Sequence, residues 1–191
     1  MPPATGFYGK IPSRGDFVRA GLPASFVAAW DAWLQDVLPA ARAALGEEWN
    51  DCWMEAPVWR FSLPAGQCGP DRVLGLWMPS VDTAGRQFPL TVAMVFANGA
   101  VPDDDETQAW LDAAEDAGRA ALEADLSPTA LTDRLPAAPQ LDAPPQDLDG
   151  AWWSAGSPFV RPTSFSAAAL PDAARFATML RDPPSAADEA A

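Results

Sequence analysis

The chain has 191 residues, 49% of them hydrophobic, and a formal charge of −14 with no histidine. The missing histidine excludes Ser-His-Asp and Cys-His nucleophiles built within this sequence, and any His-ligated zinc. The acidic balance argues against nucleic acid or an anionic membrane as partner, because their phosphates would be repelled.

The opening "MPPATGFYGK" has neither a charged n-region nor an apolar h-region, so it does not read as a secretory signal. "TGFYGKI" predicts a short first strand, closed by Pro12. "LPASFVAAWDAWLQDVLPAARAALG" then sets Phe26, Trp30, Trp33, Leu34, Val37, Ala41 and Leu45 at helical spacing. Pro23 suits the first turn of that helix and Gly46 its C-terminal cap, while Pro39 predicts a kink or break. Trp30 and Trp33 read as core residues.

"PVWRFSL" alternates Trp59, Phe61 and Leu63 against Val58, Arg60 and Ser62, a half-buried strand. "PAGQCGPD" is a turn and "RVLGLWMPS" the answering strand of a hairpin. "VDTAGRQ" connects to the apolar strand "FPLTVAMVFA", with Pro79 and Pro89 near strand ends where a missing N–H is tolerated. Its run "VAMVFA" is far short of the roughly 20 apolar residues that span a bilayer. A soluble, cytoplasmic protein is expected. Cys52 and Cys68 are too few for a thiolate metal cluster and read as buried or half-buried thiols, with a disulfide across the short loop between them as the alternative.

"VPDDDETQAWLDAAEDAGRAALEADL" predicts a second long helix with Trp110, Leu111, Ala114, Ala117, Ala121 and Leu122 as its buried stripe. Its leading carboxylates favour the helix dipole and lack the ligand spacing and glycine of a calcium loop. Residues 101–150 hold thirteen Asp and Glu against Arg119 and Arg134, a net of −11, whereas 151–191 come to −1. The acidic stretch reads as a solvated face. "SPTALTDRL" is a short capped helix, "PAAPQLDAPPQDLDG" an exposed loop, and "AWWSAGSPFVRP" a strand that turns one of Trp152 and Trp153 inward and the other outward. "LPDAARFATML" is a last amphipathic helix before a frayed tail. The expected organisation is a single domain over 1–183 with a flexible tail at 184–191. Helices before, after and at the end of a run of hairpins predict a three-layer α/β sandwich, with a mixed, mainly antiparallel central sheet and helices on both faces.

Two polar constellations sit in turns: Arg14 with Asp16, and Asp82 with Arg86. An acidic-residue hydrolase using Asp16 and Asp82 requires the two carboxylates within about 5–10 Å in an open cleft. Neighbouring arginines hold both ionised and spoil the general acid. The alternative is bracing: Ser13, Asp16, Ser80 and Asp82 bond local backbone while Arg14 and Arg86 bridge the loops. "RGD" as an adhesion signal is a three-residue match that chance supplies.

"GFYGKIPSRGDFVRAGLPASFVAAWDAWL", "APVWRF", "GLWMPSVDTAGRQFPLTVA", "WWSAGS" and "LPDAARFATML", in this order, resemble the TagF/ImpM family of type VI secretion-associated proteins. The resemblance implies a three-layer α/β fold and a cytoplasmic accessory that acts after translation, usually to restrain firing of the apparatus. It further implies association with a forkhead-associated-domain scaffold protein, and neither catalytic activity nor a cofactor. Ser13, Arg14, Asp16, Ser80, Asp82 and Arg86 then form or brace a partner-binding corner, with the outward one of Trp152 and Trp153 as a second contact. A structural subunit of the secretion apparatus is the remaining alternative.

Overall fold

The computed structural model describes residues 3–96, 102, 104–139 and 150–183. The expected tail at 184–191 and most of the Pro- and Asp-rich connection after 139 lie outside them. Seven strands form one sheet: β1 Ala4–Gly9, β2 Val18–Ala20, β3 Trp59–Leu63, β4 Arg72–Met78, β5 Leu90–Phe96, β6 Gly150–Ser154 and β7 Thr163–Ala167. Their spatial order is β2-β1-β5-β4-β3-β6-β7, and every pairing is antiparallel. The short links between β3, β4 and β5 favour this arrangement, since parallel neighbours need long crossovers.

Alternation along the strands splits the core into two layers. On one face Tyr8, Trp59, Phe61, Leu63, Trp77 and Val95 meet helices α1 Ala24–Leu45, α2 Trp49–Met54 and α5 Ala173–Leu180. On the other, Phe7, Leu74, Leu76, Val92 and Met94 meet α3 Asp104–Glu123 and α4 Pro128–Arg134. Each fully buried Leu, Phe or Met contributes about 1.5–3 kcal/mol, so the sheet is held from both sides.

Several tryptophans add directed contacts, because a buried indole N–H usually takes an acceptor, although those of Trp77, Trp110 and Trp152 have none among the described residues. Trp30 Nε1 donates to Thr91 Oγ1 at 2.9 Å, Trp33 Nε1 to the Pro171 carbonyl at 2.7 Å, and Trp59 Nε1 to the Met179 carbonyl at 2.8 Å. These bonds fix α1 to β5 and tie the α5 region to both α1 and β3.

Helix α1 runs through Pro39 without the expected break. Pro39 and Gln35, whose carbonyl loses its intrahelical donor, are both exposed residues, while buried Val37 and Ala41 hold the helix on either side. The sequence reading also passed over α2, β2 and β7. The strands β2 and β7 are short edges with little apolar alternation, and α2 is less than two turns long.

Gly75 lies where β4 crosses the core: a Cβ there would stand 2.7 Å from the Val92 carbonyl oxygen and 2.8 Å from the Phe61 ring. The substitution Gly75→Ala is expected to destabilise the fold by roughly 1–3 kcal/mol through overpacking. Urea unfolding checks this, and an unchanged midpoint would mean that β4 and Phe61 are not in such close contact.

Candidate functional site

The chain leaves β1 through Gly9, whose φ of 142° and a would-be Cβ 2.0 Å from the Pro89 carbonyl oxygen admit only glycine. This close crossing delivers Lys10 to the loop between β4 and β5. Lys10 is buried, 7% exposed, and its Nζ lies 2.8 Å from Oδ2 of Asp82, itself 2% exposed. Arg86 Nε donates to the same oxygen at 2.7 Å, and the backbone N–H groups of Ala84 and Arg86 each donate to Oδ1 at 2.9 Å. Asp82 N donates to the Arg86 carbonyl and Gly85 N to the Asp82 carbonyl, so the loop folds around its own carboxylate.

The two motif loops are then joined directly. Ser80 Oγ donates to the Lys10 carbonyl at 2.7 Å, Thr83 N to the Arg14 carbonyl at 3.1 Å, and Arg86 Nη2 to the Gly15 carbonyl at 2.5 Å. Ser13 Oγ donates to the Leu126 carbonyl at 2.7 Å, anchoring the first loop to the stretch that follows α3, and Trp53 Nε1 donates to the Ser80 carbonyl at 3.1 Å from α2. Both helical layers are therefore bonded to this corner.

Burial alone would raise the Asp82 pKa, but the hydrogen bonds from Lys10, Arg86 and Ala84 outweigh it and hold the carboxyl well below the usual range. A carboxylate so paired is neither a general acid nor an accessible base. Asp16 is exposed and has no ion pair among the described residues. The pair required by the hydrolase alternative is thus split between a sequestered carboxylate and a solvated one. Among the described residues no three His, Cys, Asp or Glu gather as metal ligands, and no described helix is long and apolar enough to cross a membrane.

What the corner presents outward is different. Phe17 is 45% exposed, yet its ring stacks on Tyr8 at 5.7 Å, meets Phe88 edge-on at 4.7 Å, and carries the Lys10 ammonium 5.2 Å from its centroid. Tyr8 donates its hydroxyl to Asp31, and burial first, then Asp31, raises its pKa. The Arg14 guanidinium is exposed and, among the described residues, reaches only the carbonyl of Ser13, at 3.5 Å. Met54, 57% exposed, borders a groove of about 180 Å³ with Pro12, Pro79, Ser80, Val81 and Leu122. The groove opens where the α2 layer and the α3 layer meet.

Six of the predicted residues, Ser13, Arg14, Asp16, Ser80, Asp82 and Arg86, thus converge on one corner. The bridging side chain is Arg86, and Arg14 braces through its backbone carbonyl. Trp152 and Trp153 lie elsewhere, on β6 with β3, β4 and β5 between them and β1. Trp152 is fully buried among Trp30, Trp33, Phe61 and Phe165, so it is closed to any partner. Trp153 points to the opposite face, opposite Arg60, and packs half-buried against the α3 layer. Arg60 there holds Asp112 and Glu115 at 2.7 and 2.9 Å. Lys10, Phe17, Trp53 and Met54 were not singled out by sequence. The signal for Lys10 was present: it is the only lysine in the chain.

A family model described as the TagF N-terminal domain, type VI secretion system-associated, matches residues 6–138, a span that holds both corner loops. The chain belongs to the TagF family. The crystal structure of PA0076 from Pseudomonas aeruginosa PAO1 is similar at 28% identity and a TM-score of 0.81, covering 95% of this chain and 96% of that one. No curated protein matches the sequence. The likeness to PA0076 takes in β6, β7 and α5, which follow the matched span, so this TagF chain shares its whole layered fold.

Cys52 and Cys68 are free and buried, and burial pushes the Cys68 thiol up to about 12. Neither thiol is expected to react with an aromatic disulfide reagent at pH 8 until denaturant unfolds the chain; rapid reaction of the native protein would contradict their burial. The corner also predicts a pH dependence. Because the folded Asp82 pKa is depressed, its stabilisation is present above the unfolded value of about 3.9 and is lost as pH falls below it. Thermal melts of the wild type and Asp82→Asn should differ most near neutrality, with the gap narrowing progressively as pH falls below about 4 toward the depressed folded value. A constant gap across that range would remove the ion-pair account.

Proposed function

We propose that this TagF-family chain is a non-catalytic cytoplasmic accessory of type VI secretion that docks a forkhead-associated-domain scaffold on the Lys10–Asp82 corner. By that binding it restrains the apparatus after translation. The observation that carries the docking reading is Phe17: a large apolar ring, nearly half exposed, yet held in place by Tyr8 and Phe88. An ordered exposed aromatic loses little conformational freedom on binding, which is what an interface anchor needs. Arg14 lies three residues away with its guanidinium in solvent, and Met54 offers a further apolar contact beside the groove. Lys10 and Asp82, the buried ion pair of the corner, face inward, while Phe17 and Arg14 face solvent, so fastening and recognition fall largely to different side chains. The identity of the scaffold and the sign of the regulation rest on the family resemblance.

The test is isothermal titration of the purified chain with the forkhead-associated scaffold of its own secretion system. Phe17→Ala is expected to weaken binding about tenfold or more, and Arg14→Ala several-fold, with both variants still folded and only Phe17→Ala lowering the melting temperature, by a few degrees. Arg86→Ala is unsuitable as a probe, since it also breaks the Asp82 ion pair. Full affinity in both folded variants would move the interface off this corner, and no heat with the wild type would reject the scaffold itself.

A further inference from the structure

The two edges of the sheet are treated differently. The edge strand β2 has three residues, carries exposed Arg19 at its centre, and is flanked by α4, which packs on it. Short length, charge and cover are the devices that stop an edge from pairing with another chain. Among the described residues the opposite edge, β7, is longer, uncharged and paired on one side only. Thr163–Ala167 reads "TSFSA", with no charge and no proline, and pairs with β6 in an unbroken register without a bulge. Among the described residues no strand pairs with its outer side. A paired edge strand turns alternate backbone N–H and C=O groups outward.

We propose that β7 pairs antiparallel with β7 of a second copy of this chain, about a two-fold axis at Phe165, joining two seven-stranded sheets into one. Self-pairing fits the strand's chemistry. The two-fold sets Phe165 against its own copy, Ser164 against Ser166, and Thr163 against Ala167, so small or uncharged residues face each other throughout. A strongly charged foreign strand would find no complementary charge on β7. The net charge of the chain does not prevent the contact, because residues 151–191 come to only −1 and the acidity is concentrated in 101–150. Helix α3, which carries much of it, packs on β4 and β5. At about 4.8 Å per strand, two such helices stand roughly 30 Å or more apart, several times the ~8 Å screening length. Phe165 is also fixed from its own side: it stacks on Trp152 at 6.2 Å, meets Trp59 at 5.7 Å, and has the Arg175 guanidinium 4.4 Å from its centroid. The edge is therefore ordered before it pairs. Because β7 and the corner lie at opposite ends of the strand order, the dimer leaves both corners open.

The test is sedimentation of the full chain from about 5 to about 500 µM, with hydrogen exchange measured at both ends of the range. A five-residue edge is small beside the roughly 1,600 Å² of a standard interface, so a weak dimer is expected, populated only toward high concentration. The outward-facing alternate amides of 163–167 should gain protection in step with it. Ser164→Lys combined with Ser166→Lys sets like charges across the junction and should raise the dissociation constant at least tenfold with an unchanged melting temperature. Ser166→Pro, which deletes a backbone donor, gives a second and chemically different block. A monomer at every concentration overturns the proposal. So does a dimer indifferent to these variants, protection of 163–167 already complete in the monomer, or capture of an unrelated extended peptide by a chain that does not self-associate.

Discussion

The fold closes on one buried carboxylate. Asp82 accepts from Lys10, from the Arg86 side chain and from two backbone N–H groups, and no part of it reaches solvent freely. Burying a charge is costly unless it is paired and fully hydrogen-bonded. That requirement dictates the corner. Lys10 must arrive from β1, so Gly9 must let the chain cross Pro89; the 82–86 turn must close around the carboxylate, so Gly85 takes a φ of 75°. Arg86 then reaches across to Gly15 and the first loop is held. The arrangement adds definition more than stability, since it leaves one satisfactory way to place these loops.

Much of this architecture can be read from residue order because the two periods are clean. Trp59, Phe61 and Leu63 on alternate positions and Trp110, Leu111, Ala114, Ala117 and Ala121 at helical spacing report burial directly. The edges are harder to read, since Val18–Ala20 and Thr163–Ala167 become strands by pairing with β1 and β6 and carry little pattern of their own. Pro39 shows the converse, a strong local breaker overruled by packing on either side of it. At the corner one of the two local pairs was legible, since Asp82 does pair with Arg86, whereas Arg14 and Asp16 form no ion pair among the described residues. The partner that sequence proximity could not give is Lys10, 72 residues from Asp82. Only topology supplies such a contact, because β1 lies against β5 and the two loops leave the sheet at the same end.

The C-terminal third completes the core instead of decorating it. Trp152 enters the cluster of Trp30, Trp33 and Phe61, Phe176 stacks on Trp77 and meets Trp33, and the α5 backbone accepts from Trp59. The strands and helix beyond residue 138 therefore share a sheet and a buried core with the segments that precede them. The outcome is a division of labour across the sheet. Its β1–β2 end carries the polar fastening and the exposed aromatic, while its β6–β7 end is cemented by stacked rings.

A chain with one lysine, and that lysine enclosed by Asp82 and Phe17, has an unusual chemical surface. Among its side chains, positive charge is carried outward by guanidinium groups. Enzymes that acetylate, methylate or conjugate lysine side chains find no free ε-amine on the folded protein, and activated esters and aldehydes that couple through lysine find none either. Covalent regulation or labelling through side-chain amines is closed to this molecule until the corner itself comes apart.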